Sequence, residues 1–290
     1  MRRRAVMASL LVLAALCCVS CGGAVASAAA PAHRPRAAAK SRRRAKARPR
    51  TPVAEPDLEV ALAPEIRDDG GHFAVAVDDL ATGSQAAYGG SQEFVTASIV
   101  KFDILVTLLY QAQEAGQALT AEDQDLATTM VENSDNDSAS DLYDDVGGAG
   151  AIDDANRVCG LSETTAGTDG YWGLTSTTVD DQIRLLRAVF TRPSPLSRAS
   201  QQYIQSLMSQ VEADQQWGVT AAADHGTQSM VKNGWLPNPD LWEINSIGEV
   251  THDGQRMLIA VLSDDNTSEA SGISLVEAVA KATADAMTSP

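Results

Sequence analysis

Between Ile99 and Leu109 the chain carries Ile99, Val100, Phe102, Ile104, Leu105, Val106, Leu108 and Leu109, enough to cover nearly every face of a helix. A helix apolar almost all round is stable only at the centre of a protein, with other elements packed on each side. The charges inside this stretch, Lys101 and Asp103, would lose their water there. Ser98 begins the helix and Lys101 stands three residues on, so the two side chains share one face.

The elements around this rod are legible from their periods. Phe73, Val75 and Val77 alternate with small residues, and Leu80–Gly83 turns back toward a return strand near 84–88; this predicts a hairpin. Residues 121–132 and 138–160 predict shorter helices, interrupted by polar 133–137 and by Gly147-Gly-Ala-Gly150. Thr178 predicts the cap of an amphipathic helix that stops before Pro193, and a further helix is expected over about 195–211. Three strands are expected at 229–236, 242–251 and 257–263, the last two joined through Asp253-Gly254. An amphipathic helix over 273–287 closes the chain, with Lys281 expected to pair with Glu277 four residues before it. Strand pair, helical block, three strands, helix: the predicted class is α+β, an antiparallel five-stranded sheet flanked by helices plus an all-helical lobe. A cleft is expected at the seam.

Charge divides the chain. Residues 1–50 hold 12 of the 22 basic residues and none of the 38 acidic ones, which leaves 10 basic against 38 acidic beyond residue 50. Arg2, Arg3 and Arg4 precede an apolar run from Ala5 to Val19 that is too short for a good membrane span, followed by small residues. Residues 1–30 therefore read as an export signal, either cleaved at an Ala-x-Ala site or lipidated at Cys21, and the expected location is extracytoplasmic. Residues 31–56, rich in Pro, Ala and Arg, cannot build a core and are expected to be a linker, a solvated spacer or a tether to cell wall or membrane surface. Residues 57–290 form the expected folded domain, taken as a monomer. Nucleic acid is not expected as a partner, since an exported chain rarely meets it. Cys159 is the only cysteine beyond residue 50, so no disulfide can form within that domain. The four histidines have no spacing suited to a metal, and neither metal nor cofactor is expected.

Only three lysines lie beyond residue 50, and two sit in short motifs: Ser98-Ile-Val-Lys101 and Lys232-Asn233-Gly234. Burial in the central helix would lower the pKa of Lys101 toward a neutral amine, a workable general base for the Ser98 hydroxyl. Between them lies Ser134-Asp135-Asn136. Ser134 could relay a proton to a leaving amine, and Asn136 could hold Lys101 or a substrate amide. Lys232 on a strand, with Gly234 permitting close approach, could bind a substrate carboxylate, and the N–H groups of Ser98 and Trp235 could form an oxyanion hole.

These motifs, in this order, resemble the serine penicillin-recognising family, the class A β-lactamases and related penicillin-binding proteins. The resemblance spans about 57–290. It implies that Ser98 is acylated by a β-lactam or a peptidoglycan-like D-alanyl carbonyl, that Lys101 activates it, that Ser134 shuttles the proton, and that Lys232 binds the carboxylate. Asn136, Asn233, Gly234 and Trp235 complete the expected substrate site. β-Lactam hydrolysis is the leading expected activity. A D-alanyl peptidase or esterase merely acylated by β-lactams, and a non-catalytic protein of the same fold, are the alternatives. Three departures matter. Asn233 replaces the family's Thr or Ser, and the stretch between Lys101 and Ser134 is shorter than usual. The loop before the Thr178-capped helix also lacks the family's deacylating Glu-x-x-Leu-Asn. Its carboxylates, Glu163 and Asp169, are expected to be loop or cap residues, which would leave water attack on the acyl-enzyme slow.

Overall fold

The computed structural model describes residues 56–67 and 72–289. The expected signal over 1–30 and the basic linker as far as residue 55 lie outside the described residues. The elements in order are α1 (Leu58–Ala61), α2 (Ala63–Arg67), β1 (His72–Asp79), β2 (Gln85–Tyr88), β3 (Phe94–Val95), α3 (Val100–Glu114), α4 (Ala121–Glu132), α5 (Asn136–Val146), α6 (Gly148–Cys159), β4 (Ser176–Thr177), α7 (Val179–Phe190), α8 (Arg198–Met208), β5 (Met230–Asn238), β6 (Leu241–His252), β7 (Gln255–Asn266) and α9 (Glu269–Thr288).

The sheet runs β2-β1-β7-β6-β5, antiparallel throughout. Its two halves come from opposite ends of the chain: β1 pairs with β7 in the register Val75↔Val261. The period of two then sorts side chains onto two faces. Phe73, Val75, Val77, Ile259 and Val261 pack with Val276, Val279 and Ala280 of α9. Ala74, Ala76, Leu258, Ala260 and Leu262 pack against the helical lobe. The β6–β7 turn sets both Asp253 and Gly254 at positive φ, 47° and 72°, as a two-residue hairpin requires. The Asp224 carboxylate accepts both turn N–H groups at 2.9 and 2.8 Å, and those bonds hold its pKa below the usual carboxylate value.

α3 is the centre of the lobe, with every residue from Val100 to Leu109 buried. Each of its large aliphatic side chains contributes roughly 1.5–3 kcal/mol by leaving water. The polar interruption read at 147–150 is a pair of glycines, φ 100° and 69°, that end α5 and begin α6. The chain between 57 and 67 is helical, a segment too short to show a period. One reading needs correction. Lys281 pairs forward with Asp285 at 3.3 Å, not back with Glu277; both choices lie one turn away, and sequence spacing alone does not separate them.

Candidate active site

The Ser98 turn is held from three sides. Thr96 donates its backbone N–H to Thr175 O at 2.8 Å. Asn245, buried on β6, donates from Nδ2 to Val95 O and Thr96 O at 2.8 and 3.0 Å, while its Oδ1 accepts from Ser263 N at 3.1 Å. β5 closes the third side. A Cβ on Gly234 would lie 2.8 Å from Ser98 N, Ile99 N and Thr96 O, so only glycine lets the strand come this near. Within this clamp Ala97 is held at φ 48°, a left-handed conformation that costs a non-glycine residue roughly 1–3 kcal/mol. Ser98 follows in a single 3-10 turn, half-buried, and the chain runs directly into α3.

Lys101 and Lys232 are both 0% exposed, and they meet at one hydroxyl. Lys101 Nζ donates to Ser134 Oγ at 3.2 Å, to Asn136 Oδ1 at 2.7 Å and to the Ser134 carbonyl. Lys232 Nζ donates to Ser134 Oγ at 2.9 Å and to Asn233 O at 3.0 Å. Ser134, itself at φ 55°, accepts from both ammonium groups, so its own proton must point elsewhere. Burial lowers the pKa of Lys101 to about 8, with Asp135 opposing. Lys232 lies well below its ordinary value through burial and through the charge of Lys101. Among the described residues no carboxylate pairs with Lys232 to offset its loss of water.

Lys101 makes no hydrogen bond to Ser98. Three acceptors saturate the ammonium form, and losing one proton would free a lone pair on Nζ. Trp172 lies over this lysine, its ring centroid 5.1 Å from Nζ, with the indole N–H donated to Ser140 Oγ at 3.2 Å. The ring's face favours the charged form.

A cleft of about 360 Å³ opens at Ser98. Asn136 and Trp235 line it as expected of a site, and Trp172 joins them. Asn233 does not. Strand alternation sends Lys232 and Gly234 toward the nucleophile and Asn233 to the opposite side, where its Nδ2 donates to Gln215 O and Trp217 O at 2.7 and 3.2 Å. Trp235 shares that side and meets Trp217 edge-on, with centroids 6.1 Å apart.

Glu163 and Asp169 are exposed, and among the described residues no carboxylate lines the cleft. The loop that carries them is shaped by Asp181, buried in the first turn of α7, which accepts from Glu163 N and Thr164 Oγ1 at 2.7 and 2.8 Å. Asp181, Asn245 and the covering role of Trp172 were not read from sequence. The apolar cluster Tyr171-Trp172-Gly173-Leu174 in a polar loop is the signal that could have pointed to the last. Among the described residues no group of His, Cys, Asp and Glu is placed to hold a metal.

The architecture is that of class A β-lactamases and penicillin-binding proteins. The TLA-1 extended-spectrum β-lactamase superposes with TM-score 0.72 at 16% identity, over 80% of this chain and 98% of that one. A class A β-lactamase from Bacteroides cellulosilyticus gives 0.70 at 18%, with the same coverage. PBP-A gives 0.69 at 20%, over 79% and 95%. At such identities the likeness establishes the fold. LppW of Mycobacterium tuberculosis, whose name calls it a candidate lipoprotein, is 31% identical over 144 residues. That match spans 47% of this chain and 46% of LppW, about half of each. The sequence profile described as the β-lactamase enzyme family matches residues 57–124 and 115–287, and the chain belongs to that family.

Proposed function

We propose that this chain is an extracytoplasmic serine hydrolase that forms an acyl-enzyme at Ser98, accepts β-lactams or D-alanyl-like acyl donors, and releases the acyl group slowly. The observation that carries this reading is the sharing of Ser134 Oγ by Lys101 and Lys232 beside the Ser98 turn. Ser98 Oγ adds to the acyl carbonyl and its proton passes to neutral Lys101. The Ser98 and Trp235 N–H groups steady the developing oxyanion. Ser134, fed by the lysine pair, delivers a proton to the departing nitrogen as the acyl bond breaks.

Slow release follows from what surrounds Lys101. Water must hand a proton to a base as it attacks the acyl-serine, yet no carboxylate lines the cleft and Trp172 covers Lys101. This favours an acyl-trapping peptidase or esterase over an efficient β-lactamase. The resemblance of the first thirty residues to an export signal, and the name of the LppW relative, support a location outside the cytoplasm.

The test is intact mass against time after mixing the purified chain with benzylpenicillin. The expected result is a one-to-one adduct that persists for many minutes, absent in Ser98→Ala. No adduct and no turnover would overturn the reading, and rapid turnover with no adduct would overturn its slow second step. Removing the cover should shorten the adduct's life. Trp172→Ala is expected to speed deacylation roughly tenfold, less than the roughly 10²–10⁴ that a positioned base supplies. Stopped-flow acylation followed by mass decay measures both steps, and an unchanged decay would show that Trp172 does not exclude water.

A further inference from the structure

Five large apolar side chains stand exposed among the described residues, and two of them, Tyr171 at 67% and Leu174 at 53%, rim the Ser98 cleft. Exposed apolar surface gathered at one concavity marks a binding site. Trp172 and Leu236 continue the same wall inward. The polar groups in the lining, Ser98, Asn136 and Ser140, are all uncharged, and no Lys, Arg, Asp or Glu side chain reaches the cleft. The nearest amines, Lys101 and Lys232, are both 0% exposed. The domain's charge, 38 acidic residues against 10 basic beyond residue 50, favours an uncharged partner over an anionic one at long range.

We infer that the cleft is built for uncharged carboxylic esters, whose aliphatic acyl chain lies along Tyr171, Leu174 and Leu236 while the carbonyl sits at Ser98. This rests on the Ser98 acyl-enzyme proposed above and names its substrate class. Ser98 Oγ bonds to the ester carbon, the alkoxide leaves with the proton taken from Ser98, and water later breaks the acyl-serine bond, returning hydrogen to Ser98 and releasing the acid. An apolar wall can pull on such a chain without any charge partner, and each methylene removed from water adds to transition-state binding.

The experiment compares p-nitrophenyl acetate with p-nitrophenyl butyrate on the full chain, subtracting the Ser98→Ala rate. kcat/KM is expected to rise about fivefold from acetate to butyrate, part of what full burial of two methylenes would give. In the double variant Tyr171→Ser, Leu174→Ser, both positions exposed and outside the core, the butyrate-to-acetate ratio should fall to about one. A ratio at or below one in the unmodified chain, or one untouched by the double substitution, overturns the inference. A benzylpenicillin adduct on Ser98 alongside a flat ester series sinks this inference and leaves the acyl-enzyme reading standing. No Ser98-dependent reaction with either donor sinks both.

Discussion

Replacing Lys101 by Met is expected to slow acylation of Ser98 about a thousandfold, the middle of the range for a lost general base, and to erase its pH dependence. In the unmodified chain acylation should rise with pH through about 8, where burial has lowered the lysine, and then level off. Below that pH the ammonium spends its donors on Ser134 and Asn136 and has no lone pair to offer Ser98. The fold should survive. Met fills the buried length of the lysine, and the acceptors it abandons belong to a half-buried serine and an exposed asparagine, which water can serve. Stability offers a second check. The unfolded lysine keeps its proton to 10.5 and the folded one only to about 8, so the unfolded state binds more protons between those values and stability climbs across that window. Below 8 the full cost of the buried charge is present, and Lys101→Met should remove this lysine's share of the climb. Stopped-flow acylation with a fluorescent penicillin from pH 6 to 9.5 measures the kinetic claim. A loss under tenfold, or an unshifted pH profile, would assign the base elsewhere.

Helix α3 shows why so much of the site was open to reading before any coordinates. Its side chains are apolar on every face, so its central position follows from solvation alone, and Lys101 was then bound to be buried. The scarcity of lysine did the rest for Lys232. What a one-dimensional pattern lacks is direction at the ends of long side chains. Lys101 shares a face with Ser98, yet its amine turns to Ser134 and Asn136. Asn233 lies between two residues that face the nucleophile, and strand alternation by itself would have turned it away; its place in a motif pulled the expectation the other way. Trp172 lies beyond both arguments. Its loop has no period, and its position over Lys101 depends on contacts distant in sequence: Asp181 holding residues 163 and 164, and Thr175 bonded to Thr96. That an aromatic ring stands over the lysine emerges only when the loop is folded.

Asp103→Asn should stabilise the protein above neutral pH while leaving it nearly unchanged near pH 3.5. Asp103 lies two residues beyond Lys101 on α3 and is fully buried. Its Oδ1 accepts from Asn156 Nδ2 at 2.9 Å, while Asp103 Oδ2 and Asn156 Oδ1, both acceptors, are left without partners. One proton on Oδ2 supplies the missing donor and turns the contact into an acid–amide pair with two bonds. Burial raises this carboxyl to about 7 against the Asn156 bond, and Asp181 adds to the rise; the same setting pushes the Cys159 thiol up to about 12. Between 3.8 and about 7 the unfolded chain has lost the proton while the folded one keeps it. The folded state binds more protons there, so stability falls as pH rises through that window, by about 4 kcal/mol once the group is ionised. An amide cannot ionise, and its N–H can take the place of the missing O–H. The melting temperature of Asp103→Asn at pH 8 should therefore exceed that of the unmodified chain by about 10 °C, with the two curves converging toward pH 3.5. Calorimetry at pH 3.5, 5, 6.5 and 8 decides it. A variant equally weakened at pH 3.5 and pH 8 would show that the carboxylate, not the acid, is the form packed in α3.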